Sequence, residues 1–146
     1  MINEFMPNPV GTEPDNEWVE LYNNDSSTVN ITGWKLGDMQ SNYTLSGVIA
    51  SGGFGLYNGT TTGLQLSNTA DAVYLYNSSG ALVDGKSYNS TTENVSYMRS
   101  TNGGGLWVLS NSTNPPTPGT SNAMLTNNIL LKLGWNLISL PLLMII

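Results

Sequence analysis

The chain has 146 residues, of which only 10% are charged, against about 25% in an average soluble protein. Its formal net charge is -6, and its four cations are scattered at Lys35, Lys86, Arg99 and Lys132, which argues against nucleic acid or an anionic membrane surface as a partner. Histidine and cysteine are absent, which excludes imidazole or thiolate catalysis, zinc sites of those ligands and disulfides.

The polar composition points to β-structure. Asparagine, glycine, serine and threonine fill 66 of the 146 positions, and these residues favour turns and strand edges over helix interiors. Hydrophobic residues still make up 39% of the chain and include 4 Trp and 7 Tyr, which supplies the core that disordered segments lack. The composition therefore predicts a globular all-β domain.

Short alternating runs of β-branched and aromatic residues recur along the chain between turn residues, as strands of a sandwich or barrel do. In chain order we predict strands at residues 2–5, 17–22, 34–37, 43–45, 53–57, 64–66, 72–76, 82–87, 96–99 and 106–109, with a packed corner at 29–31.

The clearest local pattern is a hairpin. Residues 72–76 and 81–84 are strand-like runs around Asn77-Ser78-Ser79-Gly80, where the glycine is free to adopt positive φ. Alternation places Val73 and Leu75 on one face and Tyr74 and Tyr76 on the other. In residues 17–22 the same rule places Val19 and Leu21 on one face of the strand. The opposite face carries Trp18, Glu20 and Tyr22. We expect the aliphatic faces in the core and the aromatic faces half covered by loops.

Asparagine is concentrated in glycosylation sequons. Eight Asn-X-Ser/Thr sites occur where about four are expected by chance from the composition. They lie at Asn24, Asn30, Asn42, Asn58, Asn77, Asn89, Asn94 and Asn111. This predicts a secreted or cell-surface glycoprotein, although a chain rich in these residues also generates sequons passively.

Residues 124–146 differ from the rest of the chain. They are apolar but interrupted by Lys132, Asn136 and Pro141, so they are not expected to form a spanning helix of about 20 residues. We therefore predict a sandwich domain at 1–123, followed by a hydrophobic extension that is the truncated start of a further domain. The piece is expected to come from a longer surface protein.

Five segments follow one another along most of the chain: INEFMPNP at 2–9, EWVELYN at 17–23, GWKL at 33–36, the hairpin from Asp71 to Asp84, and TPG at 117–119 followed by Asn122. In this order they resemble the prokaryotic extracellular branch of the lamin tail domain family. The resemblance implies an immunoglobulin-like β-sandwich of about 8–10 short strands that acts as an interaction module beside secreted hydrolases or surface repeats. It supplies no catalytic motif and no cofactor.

The resemblance does not imply the nuclear role of animal lamins for this chain. The chain has neither a heptad pattern nor the basic surface residues that nucleic acid requires.

Half of the acidic residues lie near the start of the chain, at Glu4, Glu13, Asp15, Glu17 and Glu20. Calcium binds six to eight oxygen ligands, but the spacing is not that of an EF-hand, and Glu17 and Glu20 are expected on opposite faces of their strand. A solvated acidic loop is the simpler interpretation. A glycosidase carboxylate pair would require a cleft, for which the sequence gives no sign.

Outward-facing aromatics are candidates for a sugar-stacking surface, although they serve equally well as core and edge residues. The candidates are Tyr22, Tyr57, Tyr74, Tyr76, Tyr88, Tyr97 and Trp107. The Gly103-Gly104-Gly105 run is expected to be a loop between strands, because no P-loop lysine accompanies it.

Together these observations predict a non-catalytic adhesion or interaction module of an archaeal or bacterial surface glycoprotein. Its expected partners are protein or glycan at the cell surface and neighbouring domains of its own chain. The alternative is a carbohydrate-binding accessory of a secreted hydrolase.

Overall fold

The structure, a computed structural model, describes residues 1–122 as eleven strands and one short helix. The elements are β1 (Ile2–Met6), β2 (Trp18–Tyr22), β3 (Val29–Asn30), β4 (Lys35–Gly37), β5 (Asn42–Thr44), β6 (Val48–Ile49), β7 (Phe54–Asn58), α1 (Gly59–Thr62), β8 (Asp71–Tyr76), β9 (Leu82–Tyr88), β10 (Tyr97–Thr101) and β11 (Gly104–Leu109). The predicted extension at 124–146 lies outside the described residues.

The strands form three antiparallel sheets. The larger sheets have the orders β11-β10-β1-β2-β7 and β5-β4-β8-β9, and β3 and β6 form a separate two-stranded ribbon. The two larger sheets contribute apolar faces to one core, which confirms the predicted immunoglobulin-like β-sandwich. Residues 29–31, expected as a packed corner, do pack against the core through Val29 and Ile31, but Val29 and Asn30 also form the strand β3 that pairs with β6.

The core follows from the alternation of side chains along each strand. Val19 and Leu21 of β2 and Val73 and Leu75 of β8 are buried, as expected for the aliphatic faces. The residues that alternate with them on β8 are half-buried tyrosines. The predicted hairpin between β8 and β9 is also confirmed, and Gly80 ends its turn at φ 84°.

One predicted strand is absent. Residues 64–66 form no strand, and the backbone N–H groups of Gln65 and Leu66 bind carboxylates instead of a neighbouring strand. Asp38 Oδ2 accepts from the backbone N–H of Gln65 at 3.2 Å, and Glu17 Oε2 accepts from that of Leu66 at 2.7 Å. The leucine pattern correctly indicated burial, because Leu64 and Leu66 are both in the core.

The short helix α1 was not predicted. Asn58 caps its start by accepting a hydrogen bond from the N–H of Thr61 at 2.9 Å, and Gly63 ends it in the left-handed conformation. Within residues 1–122, no helix combines the length and apolar character needed to cross a bilayer.

Candidate functional site

Two glutamates lie side by side on the outer face of the five-stranded sheet. Glu4 of β1 and Glu20 of β2 are directly paired in the antiparallel register, and both side chains are fully buried. The side chain of Asn3 donates to Glu20 Oε1 at 2.8 Å, and the Ser96 hydroxyl donates to Glu4 Oε1. An unpaired buried carboxylate would be costly, so these donors are essential to the arrangement.

The segment 115–122, here called the strap, covers this pair. The Thr117 hydroxyl donates to Glu4 Oε2 at 2.7 Å, and its backbone N–H reaches both carboxylate oxygens at 3.2 Å. The backbone N–H of Gly119 donates to Glu20 Oε2. The Thr117-Pro118-Gly119 motif is therefore the partner of the two carboxylates.

Asn122 anchors the end of the strap. Its side-chain amide donates to the carbonyl of Asn3 at 3.2 Å and to that of Arg99 at 2.9 Å, and its backbone N–H donates to Asn102 Oδ1 at 2.8 Å. These contacts tie the strap to β1, to β10 and to the turn after β10. The strap is thus part of the folded domain.

Burial dominates the electrostatics of these carboxyls. It raises the pKa of Glu20 to about 7, assisted by the nearby charge of Glu4, while hydrogen bonds from Asn3 and Gly119 act in the opposite direction. Burial also raises the pKa of Glu4. Because the strap covers both groups, they do not form the open pair of carboxylates that a glycosidase needs.

The predicted acidic cluster is divided between separate places. Glu17 faces away from Glu20, as expected, and binds the backbone of residues 64–66. Burial raises the pKa of Glu17 to about 7, with contributions from Glu13, Asp71 and Asp38. Asp15 is exposed and accepts from the Thr60 hydroxyl at 3.2 Å.

Calcium binding gains no support from this arrangement. Among the described residues no group of three acidic side chains is placed to hold a metal ion. The carboxylates within the fold are engaged by backbone donors, as Asp38 and Asp71 also show with the backbone N–H groups of Gln40 and Ser67. The solvated acidic loop that the sequence favoured over a calcium site is wrong for Glu4, Glu17 and Glu20, which are buried.

Four aromatic rings close one end of the core. Phe5 stacks on Tyr97 at 5.1 Å between ring centroids and also contacts Tyr88 and Trp107 at 5.6 Å. The guanidinium of Arg99 lies 4.3 Å from the centroid of the Trp107 ring. Tyr88, Tyr97 and Trp107 were among the sugar-stacking candidates, and their packing in or against the core gives them a structural role.

Other candidates point outward. Tyr22 pairs with Phe54 at 5.1 Å on the outer face of the five-stranded sheet. Tyr74 and Tyr76 lie 6.1 Å apart on the outer face of the four-stranded sheet. Tyr57 packs against the core. Only part of the predicted aromatic set is therefore available to a ligand.

An apolar cavity of about 110 Å³ opens between the sheets. Its lining includes Leu21, Ile31, Trp34, Ile49, Leu75 and Val83. The cavity is small, close to the volume of a single side chain, and does not include the Glu4 and Glu20 carboxylates.

The sequons lie at the surface. Seven of the eight asparagines are exposed, and Asn77 is half-buried. Several use the side-chain oxygen to hold a turn: Asn30 Oδ1 accepts from the N–H of Thr32 at 2.9 Å, and Asn111 Oδ1 accepts from that of Thr113 at 2.8 Å. A glycan joins the side-chain nitrogen, so it would leave these oxygen contacts in place.

The sandwich fold, with two buried carboxylates beneath the strap, defines a small immunoglobulin-like module. The family model for the lamin tail domain matches residues 1–90, and the chain belongs to this family of non-enzymatic domains. The match ends before β10, β11 and the strap. No curated protein matches the sequence.

Sequence reasoning missed two features. It identified Glu4 and Glu20 only as members of an acidic cluster and did not place them side by side on one sheet face. It also gave no role to Lys35, which the register sets directly opposite Tyr76. Both relationships depend on strand pairing, which one sequence does not reveal.

Proposed function

We propose that this domain is a non-catalytic interaction or adhesion module of a larger secreted or cell-surface glycoprotein of an archaeon or bacterium. The observation that carries the proposal is the structural use of the buried carboxylates. Glu4, Glu17 and Glu20 accept hydrogen bonds from backbone donors of other segments. The acids best placed for chemistry are thus occupied in holding the fold, and binding is left to exposed strands and loops.

The exposure of the sequons supports the extracellular part of the proposal. Glycans at Asn24, Asn94 and Asn111 would extend into solvent, because all three residues are exposed. The low content of lysine and arginine supports a partner other than nucleic acid.

The function is tested by removing the domain from its parent chain in the native cells. Deletion of residues 1–122 is expected to abolish attachment of the parent protein to its cell-surface target while secretion is unchanged. A strap variant that folds, Thr120→Ala, serves as the matched control and should keep attachment. Full attachment without the domain would refute the proposed role.

Glycosylation is tested on protein from the same cells. Mass spectrometry of tryptic and chymotryptic peptides is expected to show glycan mass at several sequons, including Asn24, Asn77 and Asn111. If all eight asparagines carry no modification, the glycoprotein part of the proposal is wrong.

The second candidate is a carbohydrate-binding accessory of a secreted hydrolase. The pair Tyr74 and Tyr76 favours it, because two aromatic side chains share one exposed sheet face. The two candidates differ in the neighbouring domain, which is a hydrolase in one and a surface repeat in the other. The full-length reading frame distinguishes them.

A further inference from the structure

The outer face of the four-stranded sheet carries a two-ring aromatic surface. Tyr74 and Tyr76 alternate along β8 with the buried Val73 and Leu75, so both tyrosine rings face away from the core. Their centroids are 6.1 Å apart and their planes are inclined by 43°. Both side chains are half-buried.

Glycine on the neighbouring strands lets Tyr74 lie against the sheet. Gly37 and Gly85 are its direct partners on β4 and β9. A Cβ atom at Gly85 would come within 3.0 Å of the Tyr74 ring, so the ring rests on the glycine backbone. The glycine therefore lets the Tyr74 ring lie close to the neighbouring strand.

Polar and apolar groups border the two rings. A Cβ atom at Gly37 would meet Asn42 Oδ1, so the Asn42 side chain lies over Gly37, which is the partner of Tyr74 on β4. Leu82, which is 58% exposed, is the partner of Tyr76 on β9. A surface of aromatic rings bordered by an amide suits the faces and hydroxyls of sugars.

The charge of this face is opposite to that of the chain. Lys35 is exposed and pairs directly with Tyr76 on the outer face. The only ion pair within residues 1–122 joins Arg99 to Asp84, which leaves the Lys35 ammonium available. The nearby Asp38 and Asp71 are buried and accept backbone hydrogen bonds. The face therefore presents one cation and no carboxylate in a chain of net charge -6.

We propose that Tyr74, Tyr76 and Lys35 form a binding surface for a uronic-acid polysaccharide. Two neighbouring sugar rings stack on the tyrosines, and a sugar carboxylate contacts the Lys35 ammonium. The inference rests on the proposed function as an extracellular binding module and names the class of its partner. Contact with rings and one surface charge predicts weak binding by each domain, strengthened where several copies act together.

The experiment is a calorimetric titration of the full 146-residue chain, made in a host without N-glycosylation so that Asn42 is bare. The probes are hexamers of galacturonate and of glucuronate, each compared with its neutral galactose or glucose counterpart. At least one uronate hexamer is expected to bind more tightly than its neutral counterpart, and this preference should weaken between about 20 and about 300 mM salt.

Variants assign the binding to this face. The double substitution of Tyr74 and Tyr76 by alanine is expected to weaken uronate binding by about tenfold or more. Lys35→Gln is expected to weaken it by about threefold and remove the preference for uronate. The matched controls are Tyr22→Ala, on the other sheet, and Lys86→Gln, whose ammonium lies 5.9 Å from the centroid of the Tyr97 ring. Both controls should bind like the wild type, and an unchanged thermal unfolding curve verifies the fold of each variant.

Several results would overturn the inference. They are binding to neither uronate, equal binding of neutral sugars, equal binding of a poly-glutamate peptide, equal losses in the control variants, or a dimer that the double tyrosine variant dissolves. If uronate does not bind but deletion of the domain still abolishes attachment, the ligand class is wrong and the proposed function stands. If uronate binds and attachment survives the deletion, the proposed function fails and the ligand class stands.

Discussion

At the scale of single residues, three buried glutamates organise the domain. Each accepts a hydrogen bond from the backbone of a segment distant in the sequence: Glu4 from residue 117, Glu17 from residue 66 and Glu20 from residue 119. Hydrogen bonds to a carboxylate are stronger than those between neutral groups. Burial nevertheless raises the pKa of all three carboxyls. The folded state therefore favours their neutral form relative to the unfolded chain.

This preference makes stability depend on pH. The pKa of Glu17 and of Glu20 is about 7 in the folded state, against 4.5 for an ordinary glutamate. Their contribution is thus complete below about pH 4.5 and is lost as the pH rises through 7. The free energy of unfolding should fall between pH 5 and pH 8 by up to roughly 3 kcal/mol for each carboxyl. Chemical denaturation at a series of pH values measures this change.

Substitutions identify the groups responsible. Glu17→Gln and Glu20→Gln should each flatten the fall in stability between pH 5 and pH 8, because the amide does not titrate. Glu93→Gln is the matched control at an exposed position, and it should leave the pH dependence unchanged. A wild-type stability that is constant or rises over this range would contradict the assignment.

At the scale of elements, the strap has the energetic role of an additional strand without being one. A paired strand extends a sheet at its edge. The strap instead lies across the face of β1 and β2, where the Glu4 and Glu20 side chains hold it. Asn122 holds the end of the strap. Its backbone N–H donates to the side-chain oxygen of Asn102, and its side-chain amide donates to two backbone carbonyls. Removing this side chain leaves buried carbonyl groups without their donor.

Asn122→Ala is therefore expected to lower the free energy of unfolding by about 2 to 3 kcal/mol. Thr120→Ala is the control in the same segment, because the Thr120 hydroxyl makes only an exposed contact with the carbonyl of Thr117, and its cost should stay within about 0.5 kcal/mol. Urea denaturation of the three proteins decides the matter. Equal costs for the two variants would show that the strap end contributes nothing specific.

The strands were predictable where alternation and turn residues coincide, as in β8, Gly80 and β9. The structure of residues 64–66 could not be predicted in this way. The leucine pattern implied a strand, but carboxylates from residues 17 and 38 take the place of the strand partner. The burial of Glu4 and Glu20 could not be predicted either, because it too depends on hydrogen bonds from a segment distant in the sequence. Charged residues are rarely buried, and the strap donors that help to permit it lie about 100 residues further along the chain.

At the scale of the whole molecule, the folded unit is larger than the matched family segment. Residues 1–90 include the four-stranded sheet but leave out β10, which pairs with β1, and β11 beside it. The strap then closes the outer face over Glu4 and Glu20, which are both buried. The domain should therefore fold only when the chain extends through Asn122.

Truncation tests this boundary. A chain of residues 1–123 is expected to unfold in one cooperative thermal transition, whereas a chain ending at residue 109 should lack that transition and bind a hydrophobic dye. Circular dichroism and dye fluorescence measure both properties. Cooperative unfolding of the shorter chain would show that the strap is dispensable for the fold.

The bond between Asn122 and the carbonyl of Asn3 places residues 3 and 122 side by side. If the parent protein is stretched between two anchors, tension enters and leaves the domain at neighbouring points. Such a load peels the strap from β1 one hydrogen bond at a time, and it does not shear the sheets. The domain then lies beside the line of force and adds little to the length of the stretched chain, while the outer face of the four-stranded sheet stays free to bind.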